Sequence, residues 1–168
     1  QVPRFRPLTH GKPPIVAVVN LKGGVGKTTL TANLGAVASH MGLKPLLVDL
    51  DYQNSLSALA LPPQVRADIQ DREQVVRKLI ESPEPTGDDV LALMQRIENT
   101  NGFVLATDEH LTSSEMEVMA RWLTGGTTDD VRYRLRNALH SDEVQSAFDL
   151  ILIDCPPSVG ELTQTALT

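Results

Sequence analysis

Ile15-Val16-Ala17-Val18-Val19, then Asn20-Leu21, then Lys22-Gly23-Gly24-Val25-Gly26-Lys27-Thr28-Thr29 is the stretch whose reading decides the fold. The first five residues are a continuous apolar run rich in β-branched side chains. That pattern predicts a strand buried on both faces of a parallel sheet. Beyond the glycines, Leu30, Leu34, Val37 and Met41 recur at helical spacing, and Gly42 stands where a helix C-cap belongs. Strand, glycine-rich turn and helix together are what polyphosphate binding requires. Glycines let the backbone fold into a concave nest of N–H donors at a helix N-terminus, where the helix dipole also favours an anion. Lys27 then reaches the β- and γ-phosphates, and the Thr28 hydroxyl is placed to ligate Mg²⁺. The expected phosphate-binding residues are Gly23, Gly24, Val25, Gly26, Lys27, Thr28 and Thr29.

Working outward, Leu46-Leu47-Val48 reads as a second buried strand ending in Asp49 and Asp51. Phe103-Val104-Leu105-Ala106 reads as a third. Leu150-Ile151-Leu152-Ile153 is the fourth, ending on Asp154 and halted by Pro156-Pro157. Between them lie amphipathic stretches, one carrying Val75, Val76, Leu79 and Ile80, the next Val90, Leu91, Met94 and Ile97. Pro83, Pro85 and Gly87 break the chain between the two. Thr112 or Ser113 is expected to cap a helix carrying Met116, Met119, Ala120 and Leu123, the two methionines fitting core packing, with Gly125-Gly126 ending it. A last helix is predicted from about Asp130 to His140. Strands alternate with helices throughout, so the fold class is α/β, a mainly parallel sheet flanked by helices on both faces. Residues 1–14 hold Pro3, Pro7, Pro13 and Pro14 and read as an extended arm; residues 15–168 read as the domain.

With 168 residues, 41% apolar and 21% charged, the chain has the bulk of one soluble globular domain. The net charge of −6 argues against a dedicated nucleic-acid binder, though a local basic patch stays open. One cysteine excludes an internal disulfide framework and a cysteine-rich zinc site. No apolar run approaches the roughly 18 residues needed to span a bilayer, and no secretory signal precedes the domain, so a cytoplasmic location is expected. His10, His40, His110 and His140 show no ligand spacing. Cys155 reads as a small buried hydrophobe. Arg132 and Arg136, with Arg134 nearby, read as a solvated helix face, with a small basic surface as the alternative.

One departure narrows the class. Where the plain G-x-x-x-x-G-K-T pattern has its first glycine, this chain has Leu21, and a second lysine, Lys22, follows. The run K-G-G-x-G-K-T-T resembles, at every position, the loop of the deviant Walker A ATPases, the ParA/MinD family. Asp49-Leu50-Asp51-Tyr52-Gln53-Asn54 resembles that family's switch I segment D-x-D-P-Q-G, with Tyr52 for the usual proline and Asn54 for the usual glycine. Phe148-Asp149-Leu150-Ile151-Leu152-Ile153-Asp154-Cys155-Pro156-Pro157 resembles its Walker B strand.

The resemblance implies a P-loop NTPase fold with ATP and Mg²⁺ as cofactors. It implies catalytic roles for Lys22, Lys27 and Asp51, with Lys22 on phosphate oxygens across a dimer interface and Asp51 polarising the attacking water. Thr28, Asp49 and Asp154 are the residues implied at the metal. Asp51 as an N-cap of the next helix is the structural alternative.

At the level of function the resemblance implies a ParA-like switch for partitioning or positioning DNA or other cargo. It implies weak hydrolysis stimulated by a ParB-like partner, a homodimer in the ATP state, and nonspecific DNA contacts through regions absent here. A MinD-like membrane-positioning ATPase and a noncatalytic nucleotide-binding module are the alternatives; membrane association is not expected from these residues. The start at Gln1 and the stop at Thr168, inside an apparent helix beginning near Gly160, lead to the expectation of a partial domain. Its base contacts would then lie downstream and its own ATP affinity would be poor.

Overall fold

A computed structural model describes residues 11–157. In chain order the strands are β1 (Ile15–Val18), β2 (Pro45–Asp49), β3 (Gln95–Arg96), β4 (Phe103–Leu105) and β5 (Leu150–Asp154). They form one sheet in the order β1-β5-β2-β4-β3. The first four in that order run parallel, and β3 pairs antiparallel with β4. The helices are α1 (Lys27–His40), α2 (Ser55–Ala60), α3 (Pro63–Asp71), α4 (Arg77–Glu81), α5 (Gly87–Leu93), α6 (Leu111–Leu123), α7 (Arg134–Leu139) and α8 (Asp142–Ala147).

The two-residue period of the central strands sorts their side chains into two cores. Leu47, Val104 and Leu152 face one side, with Leu56, Leu61 and Ile69 from α2 and α3 and the small Ala32 of α1. Leu46, Val48, Leu105, Ile151 and Ile153 face the other, against Leu79, Val90, Leu111, Leu139 and Val144 from α4 to α8. Burial on both faces is why β2 and β5 read as unbroken apolar runs. At the amino end of the sheet Asp149 clamps β5 to β2: its carboxylate accepts the Lys44 N–H at 2.8 Å, and its own N–H donates to the Lys44 carbonyl at 3.0 Å.

Several local expectations change. Among the described residues β1 is an edge strand, so Val16 is exposed and its neighbours only half-buried. Helix α1 is present, but its large apolar side chains point outward: Leu30, Leu34, Val37 and Met41 are 41% to 71% exposed. The buried face is Lys27, Thr31, Gly35 and Ala38. The reason is close approach, since a Cβ at Gly35 would lie 2.7 Å from Leu47 Cδ2. Gly42 does end the helix, at φ +85°.

The stretch Val90 to Ile97 is not one helix. α5 stops at Leu93, and Gln95–Arg96 turns back on β4, giving a fifth strand where four were expected. Val75 and Val76 are buried ahead of α4 rather than within it, the Val76 N–H donating to the Ala106 carbonyl at 2.8 Å. His110, not Thr112 or Ser113, stands at the N-cap of α6, and Met116 is 69% exposed while Leu111 and Val118 fill the buried side. The predicted last helix is a 3₁₀ turn (Val131–Tyr133), α7, and then a separate α8 capped by Ser141. Of the proline-rich arm, residues 1–10 lie outside the described residues, and so does the helix expected near Gly160. Pro14 already accepts the Ile151 N–H, at 3.0 Å.

Candidate nucleotide-binding site

The carboxyl ends of β1, β5 and β2 converge on one crevice, and the register sets their acids side by side. Val18 and Asp49 both pair with Asp154. Ligands in open parallel sheets collect at such strand ends. The loop after β1 turns over this edge with Gly24 at φ +70° and Gly26 at φ +87°. Those left-handed conformations need glycine at little cost and would strain any β-branched residue. From Gly26 the chain enters α1 directly, the Leu30 N–H donating to the Gly26 carbonyl at 2.8 Å. The amides of the first turn therefore open onto the loop's concave side.

That side is a cavity of about 690 Å³, lined by the whole run Gly23 to Thr29 and, facing it, by Asp51, Gln53 and Ser55. Lys27 is buried at the start of α1. A second cavity, about 400 Å³ and mostly apolar, lies between α1, α2 and Ile97. It shares only Thr29 and Leu59 with the first and has no arc of glycine amides, so polyphosphate chemistry belongs to the first.

Asp154 lies at the end of β5 and is completely buried. Neither of its carboxylate oxygens has a hydrogen-bond partner among the described residues. Burial pushes its carboxyl above the usual range. The Thr28 hydroxyl pulls it down, Asp51 pushes it up, and Lys27 pulls it down. A buried carboxylate that no backbone amide meets among the described residues, beside a threonine hydroxyl and next to a phosphate-shaped nest, is the donor set that suits a hard divalent cation.

Asp49 is equally buried but differently employed. Its Oδ1 accepts the Asp51 N–H at 3.1 Å; its Oδ2 accepts the Ser57 N–H at 2.8 Å and the Ser57 hydroxyl at 2.7 Å. Burial raises its carboxyl to about 7 even against those bonds. Asp51 is buried too, and its Oδ1 accepts the Gln53 N–H at 3.0 Å in an Asx turn. It does not cap α2; the N-cap is Asn54. Asn54 sits at φ +57°, so the residue standing where the resembling family has glycine is the one that best tolerates that region after glycine. Tyr52, in place of proline, is half-exposed.

The loop residues Gly23 to Thr29, with Asp51, therefore come together around one cavity, and Asp154 lies beside Thr28 and Lys27. Lys22 is exposed and does not line that cavity; its N–H donates to Asn20 Oδ1 at 2.9 Å. Cys155 is fully buried, and burial together with Asp154 pushes its thiol up to about 12. Sequence reasoning missed Ser57, which carries no motif signal and meets Asp49 only through the turn into α2. It also misread Arg134. That guanidinium is buried, paired with Asp129 at 2.6 Å and donating to the Ile80 carbonyl at 2.8 Å, while Arg132 pairs with Asp130 and lies over the Trp122 ring. Arg134 is therefore internal structure, whereas Arg132 and Arg136 are half-buried.

Comparison with known proteins agrees with this geometry. Residues 14–168 match the AAA_31 family, described as an AAA domain. The chain is 37% identical over 155 residues to the sporulation initiation inhibitor protein Soj of Bacillus subtilis, spanning 92% of this chain and 54% of that protein. It is 31% identical over 154 residues to the chromosome partitioning protein ParA of Caulobacter vibrioides, spanning 92% and 52%. The chain thus spans about half the length of these relatives. Among solved structures, a cobyrinic acid a,c-diamide synthase from Mycobacterium smegmatis with bound ADP and magnesium aligns with a TM-score of 0.73 at 30% identity, over 92% of this chain and 56% of that one. A plasmid partition protein from Borrelia burgdorferi aligns with the same TM-score at 21% identity, a likeness of fold, over 93% and 62%. No described helix is long and apolar enough to cross a membrane. Loop, acids, sheet order and relatives agree: the chain belongs to the ParA/MinD family of P-loop ATPases.

Proposed function

We propose that the chain is the phosphate-binding part of a Mg²⁺-dependent ATPase of the ParA type, whose nucleotide state switches a homodimer that partitions or positions DNA or another large cargo. The observation that carries the chemistry is Asp154, buried with both oxygens unpartnered among the described residues, beside Thr28 and Lys27. Thr28 and Asp154 would hold the magnesium ion, which offsets phosphate charge. Lys27 and the amides from Gly23 to Thr29 bind the phosphate oxygens. Asp51, held by its Asx turn at the facing wall, orients a water toward the γ-phosphorus, and the bond to the bridging oxygen breaks to release ADP and phosphate. Lys22, exposed at the rim, is available to the nucleotide of a second subunit, which supports the dimer reading. The relatives named Soj and ParA support the partition reading and a ParB-like activating partner.

Phosphate release by the full-length protein tests the enzyme. Lys27→Ala should abolish productive nucleotide binding. Asp51→Ala should bind Mg-ATP and lose at least tenfold in kcat; an unchanged rate refutes the assignment of Asp51. Lys22→Ala should bind nucleotide yet fail to self-associate with ATP in light scattering, and unchanged self-association refutes the shared site. Retention on nonspecific DNA that needs ATP and falls with salt supports a DNA cargo; its absence, with ATP-dependent lipid sedimentation, would move the protein to the membrane-positioning branch.

A further inference from the structure

The loop that carries Asp51 into the phosphate cavity is held from behind by one serine. Ser57 lies in the first turn of α2 and is fully buried. Its hydroxyl donates to Asp49 Oδ2 at 2.7 Å and accepts the Thr107 N–H at 3.2 Å, while its own N–H donates to the same Asp49 oxygen at 2.8 Å. One side chain thus joins the end of β2, the start of α2 and the backbone that follows β4. Elsewhere the loop is loosely made: the N-cap Asn54 is left-handed and makes no side-chain cap bond, and Tyr52 is half-exposed. The only other side-chain bonds within it are the Asp49 bond to the Asp51 N–H and the Asx turn at Gln53, among the described residues.

Asp49 therefore spends its oxygens on this brace. Three donors converge on it, two of them backbone amides, so both of its oxygens are already engaged. Asp154, its register partner on β5, is met by no backbone amide among the described residues, the Thr28 hydroxyl being the donor beside it. The contrast between neighbouring acids is one of partners, not of burial, since both are completely buried. We infer that Ser57 is a positioning residue: through Asp49 it fixes the loop so that Asp51 faces the phosphates, and Asp49 is a strut of that loop rather than a ligand of the metal. The inference rests on the ATPase reading of the site.

The test uses the full-length protein and three readouts: steady-state hydrolysis, the Mg²⁺ concentration giving half-maximal binding of a fluorescent ATP analogue, and amide hydrogen exchange. Ser57→Ala should lower kcat at least tenfold with KM changed less than threefold, and should speed exchange at the Asp51, Gln53 and Ser57 amides at least tenfold. The β4 amide of Leu105 should stay protected in the same sample, which separates a freed loop from a damaged fold. Ser57→Thr, which keeps the hydroxyl, should return kcat to within threefold of the parent. Asp49→Asn should copy the loss of kcat with its Mg²⁺ requirement within twofold of the parent, whereas Asp154→Asn should raise that requirement at least tenfold. Wild-type kcat in Ser57→Ala, failure of the threonine rescue, or a Mg²⁺ requirement in Asp49→Asn as high as in Asp154→Asn would each overturn the inference. If the parent protein hydrolyses no ATP, the proposed function fails instead, and the exchange and Mg²⁺ measurements still decide the parts of Ser57 and Asp49.

Discussion

Replacing Arg77 with methionine should destabilise this fold more than any phosphate-loop substitution. Arg77 is buried beneath the joint of α4 and α6, with its Nε 2.6 Å from Asp108 Oδ2, its Nη2 2.8 Å from Glu73 and its Nη1 2.9 Å from Glu81. Burial works against its charge, and the hydrogen bonds to Asp108, Glu73 and Glu81 outweigh that, so the guanidinium is held charged. The three pairs are unequal. Glu73 is more than half exposed and Glu81 about a third, so solvent screens both pairs and they contribute little. Asp108 has a side chain only 6% exposed, and losing its cation leaves a carboxylate buried with, among the described residues, just the His110 N–H at 3.2 Å. Breaking a buried pair from one side costs about 3–5 kcal/mol. Methionine fills most of the arginine volume, so the loss is electrostatic rather than a cavity. In urea, with a slope of about 2 kcal/mol/M, the midpoint should fall by about 1.5–2.5 M. Asp108→Asn added to the Arg77→Met background should recover at least half of that, because the stranded charge is then gone. A single variant within about 1 kcal/mol of the parent, or a double variant no more stable than the single one, would refute the argument.

The remaining predictions concern packing and pH. Gly35→Ala should cost about 1–3 kcal/mol in thermal or urea unfolding, since the new Cβ meets Leu47 Cδ2 at 2.7 Å and Cδ1 at 3.2 Å in a buried layer; no loss would mean that α1 stands further from the sheet. Glu73 is held at about 2 by Lys78 and Arg77, and Asp129 at about 2 by Arg134 and Thr127. Because both are depressed, the stability they contribute is present above their unfolded values near pH 4 and is lost as pH falls toward 2. Acid titration of the unfolding midpoint should show this limb, and Glu73→Gln together with Asp129→Asn should flatten it.

The phosphate loop, the three acids and the alternation of strands with helices were legible in the residues themselves. Each is a local matter: glycines for left-handed backbone, a lysine and threonine at a helix start, acids at the ends of apolar runs. Even Asn54 in a glycine position has a local reason, the left-handed φ it adopts. What misled was the assumption that apolar residues at helical spacing mark the buried face. On α1 the sheet comes so near that only Thr31, Gly35 and Ala38 fit between. On α6 the buried side is Leu111 and Val118 while Met116 lies outside. Arg134 of α7 read as surface because its partners, Asp129 and the Ile80 carbonyl, cannot be told from spacing.

The sequence by itself therefore determined the class of the protein and the glycine-rich run that lines the cavity, since those follow from backbone conformation and short-range chemistry. The tertiary structure alone decided which partners each acid meets. Asp49 and Asp154 have the same chemistry at the same level of the sheet, and they differ in the partners around them. The turn into α2 brings Ser57 onto the first, while the second meets Thr28, Lys27 and Asp51 from segments far away in the chain. Hydrogen-bond partners are fixed by which chain segments pack together, so no reading of residues in order could have told the two acids apart.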